Sequence, residues 1–430
     1  VWKSPETATG TLLLTFGGAQ LRWAEQGKRL VFVADMDGWP HLYSIRANGG
    51  KPLLLTPGSF MVQDVALSRD GDALIYSANA GNTKGDEDRR HLFVVPVDRA
   101  QPVALTSGTG LQWSPTAAET AIAYIEAGAR HPPEVAVMGD HGRHARLLQP
   151  DLLSKEFPTA RLLVPESVTF KAADGTLIHG QLFRDPDAAP GQPGVIFVHG
   201  GPPRQMLLGW HLMAAYSSMY AVNQYLATHG FTVLSVNYRL SIGYGHAFQN
   251  PAHAGPDGAS EYQDVLAGAE YLQHLPGVDA NRIGIWGASY GGYLTALALA
   301  RNSDVFKAGV DMLGVHNWDL SLGPELGSAL NTGSEQQRNA IERALRVAWQ
   351  SSPDASIATW KSPVLLIQGD DDHNVHFAQM EDVVKRLRKH RVPFEEMVIP
   401  NEVHDFRRYA SWLQAYTATV NFLQHELGKD

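Results

Sequence analysis

The alternation of apolar and polar positions changes character part-way along the chain. From residue 20 to 150, short alternating runs are separated by turn residues, and no stretch carries helical periodicity. Leu30-Val31-Phe32-Val33, Ala73-Leu74-Ile75-Tyr76 and Ala121-Ile122-Ala123-Tyr124 read as strands. Each follows a polar turn, and before that turn stands Trp23, Leu67 or Trp113. From about residue 166 the regime differs. Buried-type runs (Val195–Val198, Thr232–Val236, Ile283–Trp286, Val364–Ile367) and a further strand at Phe394–Ile399 alternate with helical stretches such as Glu261–Leu275 and Ala378–His390. A last helix sets Trp412, Tyr416, Val420 and Leu423 on one face. Apolar strands with helices between them predict a largely parallel sheet covered on both sides. Residues 151–165, with Pro165 near their end, form the expected hinge.

The first regime repeats itself. His41-Leu42-Tyr43 is echoed by His91-Leu92-Phe93, and Pro52-Leu53-Leu54-Leu55-Thr56-Pro57-Gly58 by Pro102-Val103-Ala104-Leu105-Thr106-Ser107-Gly108, both 50 positions on. Multi-stranded repeats of about 40 to 50 residues mark the blades of a β-propeller, because one blade cannot bury both faces without a stacked neighbour. A β-sandwich with chance similarity is the rival; the echoes keep their order within the unit, which favours blades. About three blades fit in residues 1–160, where a closed ring usually takes about four to eight. The expected organisation is therefore α/β, with a C-terminal α/β domain at 161–430 preceded by the C-terminal blades of a larger propeller.

Bulk properties narrow the partners. A chain of 430 residues exceeds the usual limit of one hydrophobic core, which agrees with two domains. A formal charge of −9 argues against a nucleic-acid partner, since phosphate contacts need a basic face. No apolar run is long enough to cross a bilayer. The absence of cysteine excludes disulfides, thiol catalysis and cysteine-bound metals without fixing a compartment. Val1 stands where an initiator Met would, and no signal peptide follows. The expectation is a missing N-terminal part, with any targeting signal lost alongside it. Cytoplasm and periplasm both fit the remainder.

Gly287-Ala288-Ser289-Tyr290-Gly291 lies between an apolar strand ending at Trp286 and a helix bearing Leu294, Leu297 and Ala298. That is the setting of a nucleophile elbow, in which a serine sits on a strained strand-to-helix turn and small neighbours let the backbone bend. A serine hydroxyl needs a base to remove its proton, and in this sheet type the acid and then the histidine follow it in sequence. The strand Val364–Ile367 runs through Gly369 into Asp370-Asp371-Asp372, any of which can be the acid by position. His404 follows the strand ending at Ile399 and precedes the last helix, whereas His390 and His425 lie on helices. His404 is the expected base. His199-Gly200-Gly201-Pro202 follows another strand and suits an oxyanion loop, with the amides of Gly201 and Tyr290 as donors. Asp370, Asp371, Asp372, His373 and His376 also admit a divalent-metal reading, but only the acid-loop reading explains their place after a strand. No phosphate-binding loop or dinucleotide fingerprint is present, and the expected chemistry needs no metal or other cofactor.

With these residues located, the chain resembles the prolyl oligopeptidase family of serine peptidases, which includes dipeptidyl peptidase IV and the acylaminoacyl peptidases. Gly287-Ala288-Ser289-Tyr290-Gly291-Gly292-Tyr293 is similar to the family's extended elbow. The family's acid loop maps onto Gly369, Asp372 and Val375, which selects Asp372. Asn237-Tyr238-Arg239 and Gly243-Tyr244-Gly245 also fit, with Leu240 where a glycine is usual. The resemblance implies that Tyr290, Val315, Trp318 and Val375 line the pocket for the residue before the cut, and that Asn374 binds a substrate carbonyl. Ser321 falls where the proline-specific members carry tyrosine, so a proline preference and a broader apolar one both stay open.

The resemblance implies short peptides as substrates and an exopeptidase of dipeptidyl- or acylaminoacyl-peptidase type, with an oligopeptidase left open. An incomplete propeller leaves blade edges unpaired, so a partner chain or a missing segment completing it is expected, and a homodimer is a further expectation. The rival functions are an esterase using the same triad and a non-catalytic scaffold using the blade surfaces.

Overall fold

The computed structural model describes residues 2–10, 14–15, 18–19, 21–139, 142–321 and 334–428. They divide into two compact units. One comprises Val1–Ser167, Leu207–Tyr220 and Ile242–Asn250; the other comprises Val168–Met206, Ala221–Ser241 and Pro251–Asp430.

In the first unit the repeat becomes three antiparallel sheets of four strands each: β1–β4 (Arg22–Ala24, Arg29–Ala34, His41–Arg46, Leu53–Leu54), β5–β8 (Val62–Leu67, Ala73–Ala78, His91–Pro96, Val103–Ala104) and β9–β12 (Leu111–Ala117, Ala121–Ala127, Glu134–Gly139, Arg146–Leu147). Side chains alternate between faces along each strand. Val31 and Val33 of β2 therefore pack with Leu74 and Tyr76 of β6 in one buried cluster, while Phe32 and Ala34 join Tyr43 and Ile45 on the opposite face. Ile75 turns the other way and packs with Ile122, Tyr124, Ala136 and Met138 of the third sheet. These are the face-to-face contacts that stacked blades require.

The echoed residues perform the same task in each sheet. Leu42 N–H donates to Thr56 Oγ1 at 3.0 Å, and Leu92 N–H donates to Thr106 Oγ1 at 2.8 Å. His41 and His91 are both buried. The tryptophans at the head of the units do not match: Trp113 is buried at 1% exposure, whereas Trp23 is 61% exposed. In β1 it is Ala24 that faces inward, and the pleat sends its neighbour outward. Two segments distant in sequence complete this unit. Leu208 N–H donates to Asp88 O at 3.1 Å, Trp210 N–H to Gly128 O at 3.2 Å, and His246 N–H to Gly38 O at 2.8 Å.

The second unit is built on one eight-stranded sheet: β13 (Glu166–Lys171), β14 (Leu177–Phe183), β15 (Gln192–Val198), β16 (Thr232–Asn237), β17 (Val278–Ala288), β18 (Phe306–Met312), β19 (Val364–Gly369) and β20 (Phe394–Ile399). Its order is β13-β14-β16-β15-β17-β18-β19-β20. β14 pairs antiparallel with β16, and every pairing from β16 to β20 is parallel. Of the helices, α1 (Ala214–Thr228) begins in the first unit's segment Leu207–Tyr220 and ends in the second unit, which also holds α2 (Tyr262–Gln273), α3 (Tyr290–Arg301), α4 (Glu335–Gln350), α5 (Ala378–His390) and α6 (Tyr409–Leu427). The central strands are buried on both faces, which is why they read as largely apolar runs. No described helix is long and apolar enough to cross a membrane.

Candidate active site

Sheet register brings the site together. Val198, the last residue of β15, is level with Gly287 of β17; Ala288 is level with Met312 of β18, Met312 with Ile367 of β19, and Gly369 with Ile399 of β20. The strands are parallel, so the loops carrying Gly201, Ser289, Asp372 and His404 all leave the same edge.

Ser289 occupies the turn between β17 and α3 with φ 59° and ψ −119°, a left-handed conformation that is strained for a residue with a side chain. The flanking glycines are required by space. A Cβ on Gly287 would lie 2.4 Å from the carbonyl oxygen of Val198, and one on Gly291 would lie 2.1 Å from the same oxygen. Main chain therefore packs on main chain, and the turn is pressed against the exit of β15.

Ser289, His404 and Asp372 form a hydrogen-bonded chain. His404 Nε2 lies 2.8 Å from Ser289 Oγ, and His404 Nδ1 lies 2.7 Å from Asp372 Oδ2. The other carboxylate oxygen, Oδ1, accepts the N–H groups of Asn374 at 2.9 Å and Val375 at 3.0 Å. Burial raises the Asp372 pKa, but the hydrogen bond and charge of His404 and the two amides outweigh it, so the carboxyl lies below its usual range. An ionised carboxylate only accepts. Nδ1 therefore carries a proton and Nε2 is left to accept from the Ser289 hydroxyl, the tautomer that a general base needs.

The three consecutive aspartates separate in space. Asp370 Oδ1 accepts the Asn401 N–H at 2.6 Å, and Asp371 lies at the surface, 3.2 Å from His373. Only Asp372 turns inward to the imidazole.

His199 is buried, donates from Nδ1 to the Gly200 carbonyl at 2.9 Å and stacks on Tyr238 with centroids 4.5 Å apart. Burial pushes its pKa down to about 4, so it is neutral near pH 7 and serves as packing within the glycine loop. Among the described residues, neither the Gly201 nor the Tyr290 amide is taken by a backbone acceptor. Tyr290 N–H stands at the first turn of α3, where amides are free to meet a developing negative charge.

The residues expected at the specificity pocket fall into two groups. Tyr290 lies 6.2 Å from Trp318 between ring centroids, and Tyr293 packs on both at 5.2 and 5.1 Å. Val315, 8% exposed, precedes Trp318 on the loop after β18. Asn374 and Val375 belong to the acid loop, where Asn374 is exposed and Val375 is buried. Gln379 ties down the loop bearing Trp318: its Oε1 accepts from His316 N and Asn317 N, and its Nε2 donates to Asn317 O at 2.8 Å and Ser321 Oγ at 3.0 Å.

Several contributors escape sequence reasoning. Glu402 is fully buried and accepts from Arg407 N at 2.8 Å, Arg408 Nε at 2.7 Å and Ser411 Oγ at 2.5 Å, bracing the His404 loop to the start of α6. His316 Nε2 lies 2.6 Å from Asp311 Oδ2 in a buried pair at the end of β18. Glu261, also fully buried, accepts the Tyr290 hydroxyl at 2.7 Å. Each reads in sequence as an ordinary loop or helix-end polar residue, and only long-range contact marks it.

The site's geometry invites comparison with known proteins. The model for the prolyl oligopeptidase family matches residues 217–430, and the model for the dipeptidyl peptidase IV N-terminal region matches residues 2–130. The chain belongs to the prolyl oligopeptidase family. It is 29% identical over 240 residues to dipeptidyl aminopeptidase BIII of Pseudoxanthomonas mexicana, covering 55% of this chain and 33% of that protein. It is 24% identical over 429 residues to human dipeptidyl peptidase 8, covering 91% of this chain and 46% of that one. Among solved structures, a puromycin-hydrolysing peptidase of Mycobacterium tuberculosis matches with a TM-score of 0.77 and 25% identity, over 94% of this chain and 61% of that one. The family member described here thus carries propeller-type blades followed by an α/β-hydrolase domain, and its matches span 36%, 33% and 46% of the length of three curated relatives.

Proposed function

We propose that this protein is a serine peptidase that cleaves short peptides through an acyl-enzyme. Ser289 Oγ attacks the scissile carbonyl while His404 Nε2 takes its proton. Asp372 holds the imidazole in its productive tautomer and stabilises the imidazolium. The amides of Gly201 and Tyr290 receive the oxyanion, His404 then protonates the leaving amine, and water releases the acyl group by the reverse steps. The single observation carrying this reading is the continuous chain from Ser289 Oγ through His404 to Asp372, with contacts of 2.8 and 2.7 Å.

The relatives named as dipeptidyl peptidases support an exopeptidase that removes short N-terminal units, and Val315, Trp318, Val375 and Tyr290 are proposed to receive the side chain before the cut, with Asn374 holding a substrate carbonyl. A panel of dipeptide anilides, N-acylated amino-acid anilides and short acyl esters tests this. Cleavage of the anilides after the second residue supports the proposal; turnover of esters alone overturns the peptidase reading.

A further inference from the structure

The tyrosines beside the elbow use their hydroxyls on the protein itself. Tyr238 donates to His199 O at 2.7 Å, Tyr293 to Ser351 O at 2.9 Å, and Tyr290 to Glu261 Oε1 at 2.7 Å. Tyr238 and Tyr293 are fully buried. Tyr290 is partly exposed, so its ring is the one of the three available to a substrate.

Glu261 is an unusual acceptor to find there. It is 0% exposed, and a carboxylate so buried is costly unless its oxygens are satisfied. Gly255 N–H contacts both oxygens, at 3.2 and 3.1 Å, and the Tyr290 hydroxyl donates to Oε1 at 2.7 Å. Gly255 has φ +55°, and a Cβ there would lie 3.0 Å from the Tyr290 hydroxyl, so the backbone has been kept bare where the two side chains meet. The ring is further fixed by near-parallel packing on Tyr238, with centroids 6.1 Å apart and planes 13° apart.

We propose that Glu261 is a positioning residue that determines specificity: by holding the Tyr290 hydroxyl away from the substrate it presents an aromatic face beside Ser289 and so selects an apolar side chain on the residue before the cut. This inference rests on the peptidase reading and on Tyr290 lining that pocket. Without its acceptor, the hydroxyl is free to turn toward the substrate, and a polar side chain gains a partner that the intact protein withholds.

The test compares kcat/KM for a matched pair of anilides with Leu or Asn before the cut, using the whole chain. In Glu261→Leu the Leu-over-Asn ratio is expected to fall by about tenfold or more, the usual scale for one pocket contact. Adding Tyr290→Phe to that variant removes the freed hydroxyl and is expected to restore the ratio, an effect that a merely structural loss does not produce. Tyr290→Phe alone is expected to keep the Leu preference, which leaves the proposal testable even where Glu261→Leu does not fold. An unchanged ratio in Glu261→Leu, or a lost preference in Tyr290→Phe, overturns the inference while the peptidase reading stands. A wild-type chain that neither cleaves the anilides nor takes a fluorophosphonate adduct at Ser289 overturns both.

Discussion

The Asn401 N–H donates to Asp370 Oδ1 at 2.6 Å, which pins the loop after β19 to the loop after β20. Asp371 N–H, donating to Glu402 O at 3.1 Å, makes a second bridge between the same loops. Asp372 and His404 leave these bridges one after the other, so their hydrogen bond is set by backbone anchored on both sides. Asp370→Ala is accordingly expected to lower kcat by about ten- to a hundredfold, the cost of a small displacement of a reacting group, with little change in KM. Steady-state kinetics on a peptide anilide checks this.

The packing of Gly291 on Val198 predicts a sharper failure. An added Cβ would stand 2.1 Å from the Val198 carbonyl oxygen and 2.9 Å from that of His199, and neither backbone group can yield without moving β15 or the glycine loop. Gly291→Ala is expected to abolish measurable turnover and to lower the thermal midpoint, read by calorimetry beside the activity assay.

Away from the reacting atoms, Arg239 grips Asp264. Its Nη2 donates at 2.7 Å to Oδ1 and its main-chain N–H at 2.7 Å to Oδ2, and Asp264 is 0% exposed. Removing the guanidinium leaves the buried Asp264 carboxylate with a main-chain donor but no countercharge. Arg239→Ala is expected to cost about 3–5 kcal/mol of stability in denaturant unfolding.

Glu402 gives the protein a defined acid response. Burial alone raises its pKa, but hydrogen bonds from Ser411, the Arg408 guanidinium and the Arg407 and Arg408 amides outweigh burial and hold it at about 2. An unfolded glutamate titrates near about 4.3. The folded-state pKa is depressed, so this contribution is fully present above the unfolded value and is lost as pH falls toward about 2. Thermal midpoints measured downward from pH 6 are expected to fall less steeply in Glu402→Gln than in wild type.

Much of this was legible from pattern. The period-2 runs and their echoes yield three four-stranded sheets, because pleat and stacking impose that alternation directly. The largely apolar runs 232–236 and 364–367 become buried strands, and the elbow is readable because a serine between glycines after a strand leaves few alternatives. Other features depend on contacts that no local pattern records. Asp370, Asp371 and Asp372 are chemically identical and adjacent, so their own chemistry does not tell them apart; the resemblance selects Asp372, and in space it is Asp372 that meets His404. The segments Leu207–Tyr220 and Ile242–Asn250 lie amid the second unit's sequence yet join the first, through bonds such as Leu208 N–H to Asp88 O. Glu261 sits at a helix start, where an acidic residue is ordinary, and its burial comes from Tyr290 and Gly255 folding over it.

The most direct test of the account is the turnover number of Ser289→Ala on a peptide anilide that the wild-type chain cleaves. The expected result is a fall in kcat of about a millionfold in a variant that unfolds at the wild-type temperature. Turnover within a few-fold of wild type would contradict it.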